Sequence, residues 1–231
     1  MSQRPYRGVF TIPVTPFTDE NALDLDGLKA VVEFCIAAGA QGIVAPVNAS
    51  EFSSLSDGER MQVVETIARA VDGRLPYVAS ATGVSAEVAV LFARHAADQG
   101  ADALIAMPPY VKKAYPGDVR RYFESLGAAT DLPIFIQNHP IGVPMSPALL
   151  GDLARDIPTV LYIKEEIPPF THSVTADIES CGDAIEGIFG GAAGKHMLDE
   201  LRRGASGTMP ACEVTDVHVA VWKAYEVGDE K

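Results

Sequence analysis

Residues 159–166 read Thr-Val-Leu-Tyr-Ile-Lys-Glu-Glu, an apolar run that stops abruptly on Lys164 and two acids. A β-strand of this character buries Val160, Leu161 and Ile163 and delivers one lysine at its carboxyl end. Two readings of that lysine compete. In one, Lys164 is a solvated strand-end charge paired with Glu165 or Glu166. In the other, burial penalises the ammonium form, and the amine becomes a nucleophile able to form an imine with a ketone.

The rest of the chain repeats the pattern. Short β-branched runs lie at 8–14, 42–47, 76–82, 103–107, 133–138, 159–164, 184–189 and 205–210. Between them lie stretches of helical period, such as Leu25–Ala38 with Leu28, Val31, Val32 and Cys35 on one face, and Ser56–Val71 with Met61, Val64, Ile67 and Ala68 on one face. Asp24, Ser56 and Ser85 suit the N-cap positions of three such helices. Gly39-Ala40, Gly100-Ala101 and Gly204-Ala205 repeat one device: a helix, a glycine, an alanine, one spacer, then a strand. A left-handed glycine just past a helix end, followed by a tight turn into a strand, requires that order.

Repeated βα units with apolar strands predict a parallel sheet covered by helices. Eight of them predict a closed (β/α)₈ barrel, and no Gly-x-Gly-x-x-Gly follows the first strand to favour an open doubly wound sheet. At 231 residues the chain fits a single barrel domain, 1–231, and no polar linker divides it. The hydrophobic share of 48% is ample for such a core.

Composition narrows the function. With 18 basic and 31 acidic residues the net charge is −13, which repels nucleic-acid phosphates and anionic membranes and leaves small-molecule chemistry as the expectation. Cys35, Cys181 and Cys212 are odd in number and lack metal-ligand spacing, so they read as buried thiols of a cytoplasmic protein. No two of the five histidines sit at i, i+4, and no metal site is expected. The opening Met-Ser-Gln-Arg-Pro-Tyr lacks the apolar core of a signal peptide, and no apolar run approaches the roughly 20 residues of a membrane span.

In a barrel the chemistry sits at the carboxyl ends of the strands. Those ends hold Thr15-Pro16-Phe17, Asn48-Ala49-Ser50-Glu51, Met107-Pro108-Pro109-Tyr110, Gln137-Asn138-His139-Pro140, Lys164-Glu165-Glu166, Gly190-Gly191 and Met209-Pro210. Asn48 and Ser50 can serve as turn formers or as donors to a substrate, and Gly190-Gly191 as backbone permission or as an anion cradle.

Together these residues carry a resemblance. Thr15-Pro16-Phe17, Ser50-Glu51-Phe52 leading to Leu55-Ser56 and Glu59-Arg60, the Pro-Pro-Tyr ending at Tyr110, Asn138-x-Pro140 and Ile163-Lys164-Glu165 are similar to the dihydrodipicolinate synthase / N-acetylneuraminate lyase superfamily, over nearly the whole chain from about residue 7. The resemblance implies a class I Schiff-base enzyme whose imine with a 2-keto acid forms on Lys164, with no other cofactor. It implies catalytic roles for Lys164, Gln137 and Tyr110, and substrate contacts from Asn48, Ala49, Ser50, Asn138, Glu166 and Gly190. Tyr110 by resemblance reaches across a subunit contact, so a homo-oligomer, dimer or tetramer, is implied.

The departures are equally informative. Where the superfamily's aldolases carry Gly-Thr-Thr-Gly-Glu, this chain has Val47-Asn48-Ala49-Ser50-Glu51. Where they carry a proton-relaying tyrosine it has Gln137, which has no titratable proton to give, and where the synthases hold a second carboxylate with arginine it has Gly142. With Ala106-Met107-Pro108-Pro109-Tyr110 and Gly182-Asp183-Ala184-Ile185-Glu186-Gly187, these substitutions are similar to the 2-keto-3-deoxy-L-arabonate dehydratase branch. The expected activity is dehydration of a 2-keto-3-deoxy sugar acid; a pyruvate-dependent aldolase or synthase, or a barrel without turnover, remains open. The C-terminal helical extension usual in the superfamily is expected to be short or missing, because the sequence ends soon after its eighth helical stretch.

Overall fold

The computed structural model describes residues 4–112 and 114–229. Eight parallel strands close into a barrel in sequential order: β1 (Gly8–Thr11), β2 (Gly42–Ala45), β3 (Tyr77–Ser80), β4 (Ala103–Ala106), β5 (Ile134–Asn138), β6 (Val160–Glu165), β7 (Gly187–Gly190) and β8 (Gly207–Thr208). A helix follows each: α1 (Leu25–Ala37), α2 (Asp57–Val71), α3 (Ala86–Asp98), α4 (Pro116–Gly127), α5 (Pro147–Asp156), α6 (Phe170–Cys181), α7 (Met197–Arg202) and α8 (Thr215–Glu226). Among the described residues no helix follows α8, and none is long and apolar enough to cross a membrane. The expected (β/α)₈ barrel is the fold found.

Side chains alternate between two cores, as strand geometry demands. Outward residues such as Val9, Ile43, Ala79, Ile136, Ile163 and Ile188 pack under the helices. Inward residues fill the barrel with a plug of rings: Phe135 stacks on Tyr162 at 4.4 Å, Phe189 meets Phe10 edge-on at 5.1 Å, and Tyr6 closes the floor 5.2 Å from Tyr162. Gly42 and Gly207 make room for this plug, since a Cβ on either would fall 2.4 Å from the Phe10 ring or 2.7 Å from that of Phe189. These rings fill the inside of the barrel, and barrels of this kind place their chemistry at the carboxyl ends of the strands.

Local chemistry sets the boundaries. Asp24, Ser56 and Ser85 cap α1, α2 and α3 as expected, Ser56 within a reciprocal capping box with Glu59. Gly39, Gly100 and Gly204 take φ of 88°, 83° and 100°, the left-handed conformation that the repeat demanded. The expected strands run too long. β1 stops before Pro13, with Ile12 making only an isolated bridge to Ala211, and β2 stops before Pro46, because proline offers no N–H to a ladder. Ala184, expected in the seventh strand, lies in a 3₁₀ turn, Gly182–Ala184. The three cysteines are free and buried.

Candidate active site

The register of β5 and β6 builds the site. Gln137 pairs with Lys164, and Asn138 with Glu165. Alternation then puts Gln137 and Lys164 on the inner face and Asn138 and Glu165 on the outer one, against α6. Lys164 is only 2% exposed. Glu166, the first residue past the strand, folds back over the inner pair, and its Oε2 lies 3.1 Å from Lys164 Nζ and accepts from Gln137 Nε2 at 2.9 Å. Its Oε1 accepts from the Ala192 amide at 3.2 Å.

That amide is aimed by an unusual loop. Ala192 and Ala193 both have positive φ, 50° and 57°, a conformation costing an alanine about 1–2 kcal/mol. Next to it, Gly191 leaves the space that Glu166 occupies: a Cβ there would lie 2.3 Å from Glu166 Oε1. Gly190 does the same on the outer side, where a Cβ would lie 1.8 Å from Glu200 Oε2. The glycine pair thus makes room for two carboxylates on opposite faces of the β7 end.

Burial pushes the Glu166 carboxyl up, but the charge on Lys164, the Gln137 hydrogen bond, His139 and the Ala192 amide outweigh it and leave the group below the ordinary carboxylate range. Glu166 is ionised at neutral pH. His139 also faces this centre; burial lowers its pKa, Glu166 raises it and Lys164 lowers it. Its Nδ1 accepts from the Ile141 amide at 3.1 Å, which leaves the proton of the neutral ring on Nε2.

The other expected residues occupy the same barrel end in different ways. Asn48 lies in a 3₁₀ turn, Asn48–Ser50, and its Nδ2 is a buried donor with no partner among the described residues. Ala49 follows it in that turn, half-buried. Ser50 spends its hydroxyl proton on the Pro13 carbonyl at 2.7 Å, and its own carbonyl accepts from Thr15 Oγ1 at 2.7 Å, tying the β1 and β2 loops together. Tyr110 meets Phe52 edge-on at 5.4 Å. Asn138 has its side chain committed on the outer face, donating to Glu165 Oε2 at 2.7 Å and Met145 O at 3.1 Å and accepting from Met145 N at 2.9 Å. Its part is to hold the β5 loop. Lys164, Gln137 and Glu166 are the members in mutual contact.

Sequence reading missed the support around them. The Ala192 amide carries no side-chain signal, though the small residues Gly190 to Gly194 mark a loop of unusual backbone. Asp177 and Glu200, from α6 and α7, sit buried behind the strand at 1% and 0% exposure. Only alternation from Lys164 outward to Glu165 hinted that an acid would face the helices.

L-2-keto-3-deoxyarabonate dehydratase of Azospirillum brasilense is 34% identical over 208 residues, covering 88% of this chain and 67% of that protein. The 4-hydroxy-tetrahydrodipicolinate synthase of Chelativorans sp. is 34% identical over 179 residues, covering 77% and 61%. Among solved structures, YagE from Escherichia coli K12, a prophage protein of the dihydrodipicolinic acid synthase family in complex with pyruvate, superposes with a TM-score of 0.92 at 27% identity, over 97% of this chain and 76% of that one. The profile of the Dihydrodipicolinate synthetase family matches residues 5–229. The profile match over nearly the whole chain, with the barrel that goes with it, makes this chain a member of the dihydrodipicolinate synthetase family of lyases.

Proposed function

We propose that the chain is a lyase acting on a 2-keto acid through a Schiff base on Lys164, and specifically that it dehydrates a 2-keto-3-deoxy sugar acid of the 2-keto-3-deoxy-L-arabonate type. The observation that carries the reading is the buried triad Lys164, Glu166 and Gln137: an amine at an inner strand end, a carboxylate 3.1 Å away, and an amide where an aldolase would place a proton-relaying tyrosine.

The steps follow from that arrangement. Lys164 passes a proton to Glu166, the freed amine adds to the C2 ketone, and Glu166 returns that proton to the departing hydroxyl, so that loss of water gives an iminium that acidifies C3. Glu166, ionised and beside the imine nitrogen, takes the C3 proton and forms an enamine. The enamine expels the C4 hydroxyl, which leaves as water with the proton that Glu166 returns. Hydrolysis then frees Lys164. The iminium serves as the electron sink, so no further cofactor enters the scheme. Gln137 holds Glu166 in place, and Asn48 Nδ2, unpartnered among the described residues, receives the substrate carboxylate together with the Ala49 amide, while the Ser50 N–H, committed to the Val47 carbonyl at 2.9 Å, shapes the turn that presents them.

A second reading rests on the synthase relatives: carbon–carbon bond formation or cleavage with pyruvate, which shares Lys164 and the imine. The chemistry at residue 137 separates the two, because glutamine cannot relay the proton that condensation needs. Incubation with 2-keto-3-deoxy-L-arabonate decides between them. The dehydratase reading expects loss of water without release of pyruvate; pyruvate release would replace it with the lyase reading. We also propose self-association through the mouth, where the β4 and β5 loops touch at Met107 and Gly142 and expose Val111, Tyr115 and Ile141.

A further inference from the structure

Behind the catalytic strand lies an acid pair that the mechanism above does not use. Glu165 accepts at Oε2 from Asn138 Nδ2, 2.7 Å, and at Oε1 from the Ile167 amide, 2.5 Å. Its carboxyl also meets that of Asp177, on α6, and both residues are 1% exposed. We propose that Asp177 is a positioning residue for this site: its carboxyl holds that of Glu165, and Glu165 in turn fixes the segment that presents Lys164 and Glu166. The proposal rests on the Schiff-base reading, since it assigns Asp177 a part in that site.

Glu165 stands between the two working residues in sequence and points the opposite way, so any rotation of its backbone swings both. Its partners are those that define the mouth: Asn138, which clamps the β5 loop through Met145, and Ile167, which starts the β6 loop. Asn138 also receives the Glu166 amide on its backbone carbonyl at 2.9 Å. Two carboxyl groups in contact cannot both ionise in a dry site, so one keeps a proton and donates it to the other. Glu165 already receives two N–H donors, the signature of a carboxylate, while Asp177 Oδ2 receives none among the described residues. The proton therefore sits on Asp177, whose pKa burial and Glu165 push up to about 9.

Among the described residues, the charged groups facing Asp177 are either committed elsewhere or are acids themselves. On α5, Arg155 is directed to the Ser180 carbonyl and Asp152. On α6, the Cys181 thiol is pushed up to about 11, by burial first and then by Asp177. On α7, Glu200 has no hydrogen bond to either carboxyl oxygen among the described residues and is itself pushed up to about 7, by burial first and then by the charges of Glu166, Glu165 and Asp199. Loss of the Asp177 proton would thus set a second charge against Glu165 with nothing to neutralise it.

The test compares wild type with Asp177→Asn and Asp177→Ala. In wild type, kcat should fall as pH rises through about 9, the pH at which Asp177 ionises. Asp177→Asn keeps a permanent N–H donor to Glu165, so kcat at pH 8 should stay within about threefold of wild type while the alkaline limb disappears. Asp177→Ala should lose about tenfold or more in kcat with KM little changed, because the substrate contacts remain. An alkaline limb unmoved in Asp177→Asn, or an Asp177→Ala variant that loses only thermal stability, would overturn the proposal. An infrared difference spectrum at pH 8 reads the same proton without turnover: wild type minus Asp177→Asn should show a neutral carboxylic acid, and its absence would also overturn it. Failure of wild-type Lys164 to trap any 2-keto acid would instead defeat the Schiff-base reading, and the infrared result would stand apart from it.

Discussion

At the scale of single residues, the claim with most consequence concerns Glu166. Its carboxylate gathers Lys164, Gln137 and the Ala192 amide, and all three would lose a charged acceptor in Glu166→Gln. The variant should lose about 10²–10⁴-fold in kcat, the usual worth of a general acid–base, with a smaller change in KM. Stability should fall as well, by about 3–5 kcal/mol, because one partner of a buried ion pair is gone; urea titration at neutral pH measures it. Lys164, Gln137 and Glu166 were all legible in the sequence, because apolar strands ending in polar groups announce which residues meet at a barrel mouth. Asp177 was not: nothing in Ser173-Val174-Thr175-Ala176-Asp177 separates it from a solvated acid on a helix. Its burial follows from how α6 lies against β6, which no local pattern contains. Ser50 lies at the barrel mouth, and the sequence could not show that its hydroxyl proton, expected for a substrate, is committed to Pro13.

At the scale of elements, the end of β7 is the decisive piece. Gly190 and Gly191 lie under Glu200 and Glu166 respectively, on opposite faces of one strand end, so the same substitution should have different effects at the two positions. Gly191→Ala should push Glu166 off Lys164 and depress kcat, with at most a modest change in the urea midpoint. Gly190→Ala should act on the packing of α7 and cost about 1–3 kcal/mol of stability, as overpacking does. Equal stability losses at both positions, with turnover intact, would contradict this assignment. The order of the elements was readable from glycine repeats and caps, which are local signals with local causes. Their ends were less so: Pro13 and Pro46 cut short strands whose hydrophobic pattern ran on, and β8 shrank to Gly207–Thr208. Its neighbour β7 continues to be bridged past that point, through the Met209 amide to the Gly190 carbonyl at 2.9 Å.

At the scale of the whole molecule, the buried acids set how stability depends on pH. Asp177 is raised from 3.8 to about 9 and Glu200 from 4.5 to about 7, so between those limits the folded state holds protons that the unfolded chain has lost. Their contribution is complete below the ordinary carboxylate range, declines as pH rises, and is gone above about 9. Glu166, held below its ordinary value, acts in the opposite sense and loses its contribution as pH falls into the acid range. The urea midpoint should therefore decline from about pH 5 to pH 9, and Asp177→Asn should flatten that decline; a midpoint rising over this range would count against the buried acids. The barrel itself could be read from eight repeated units, whereas the ring plug that closes its floor could not, because Tyr6, Phe10, Phe135, Tyr162 and Phe189 come from distant parts of the chain and meet only once the barrel closes. On the Schiff-base reading proposed above, the chemistry takes place at the opposite end, around Lys164. The most direct test is borohydride reduction in the presence of pyruvate and of 2-keto-3-deoxy-L-arabonate, followed by peptide mass spectrometry on wild type and Lys164→Ala. A reduced adduct on Lys164 in wild type, absent from the variant, is the predicted result; no adduct with either acid, or an adduct on another lysine, would contradict the account.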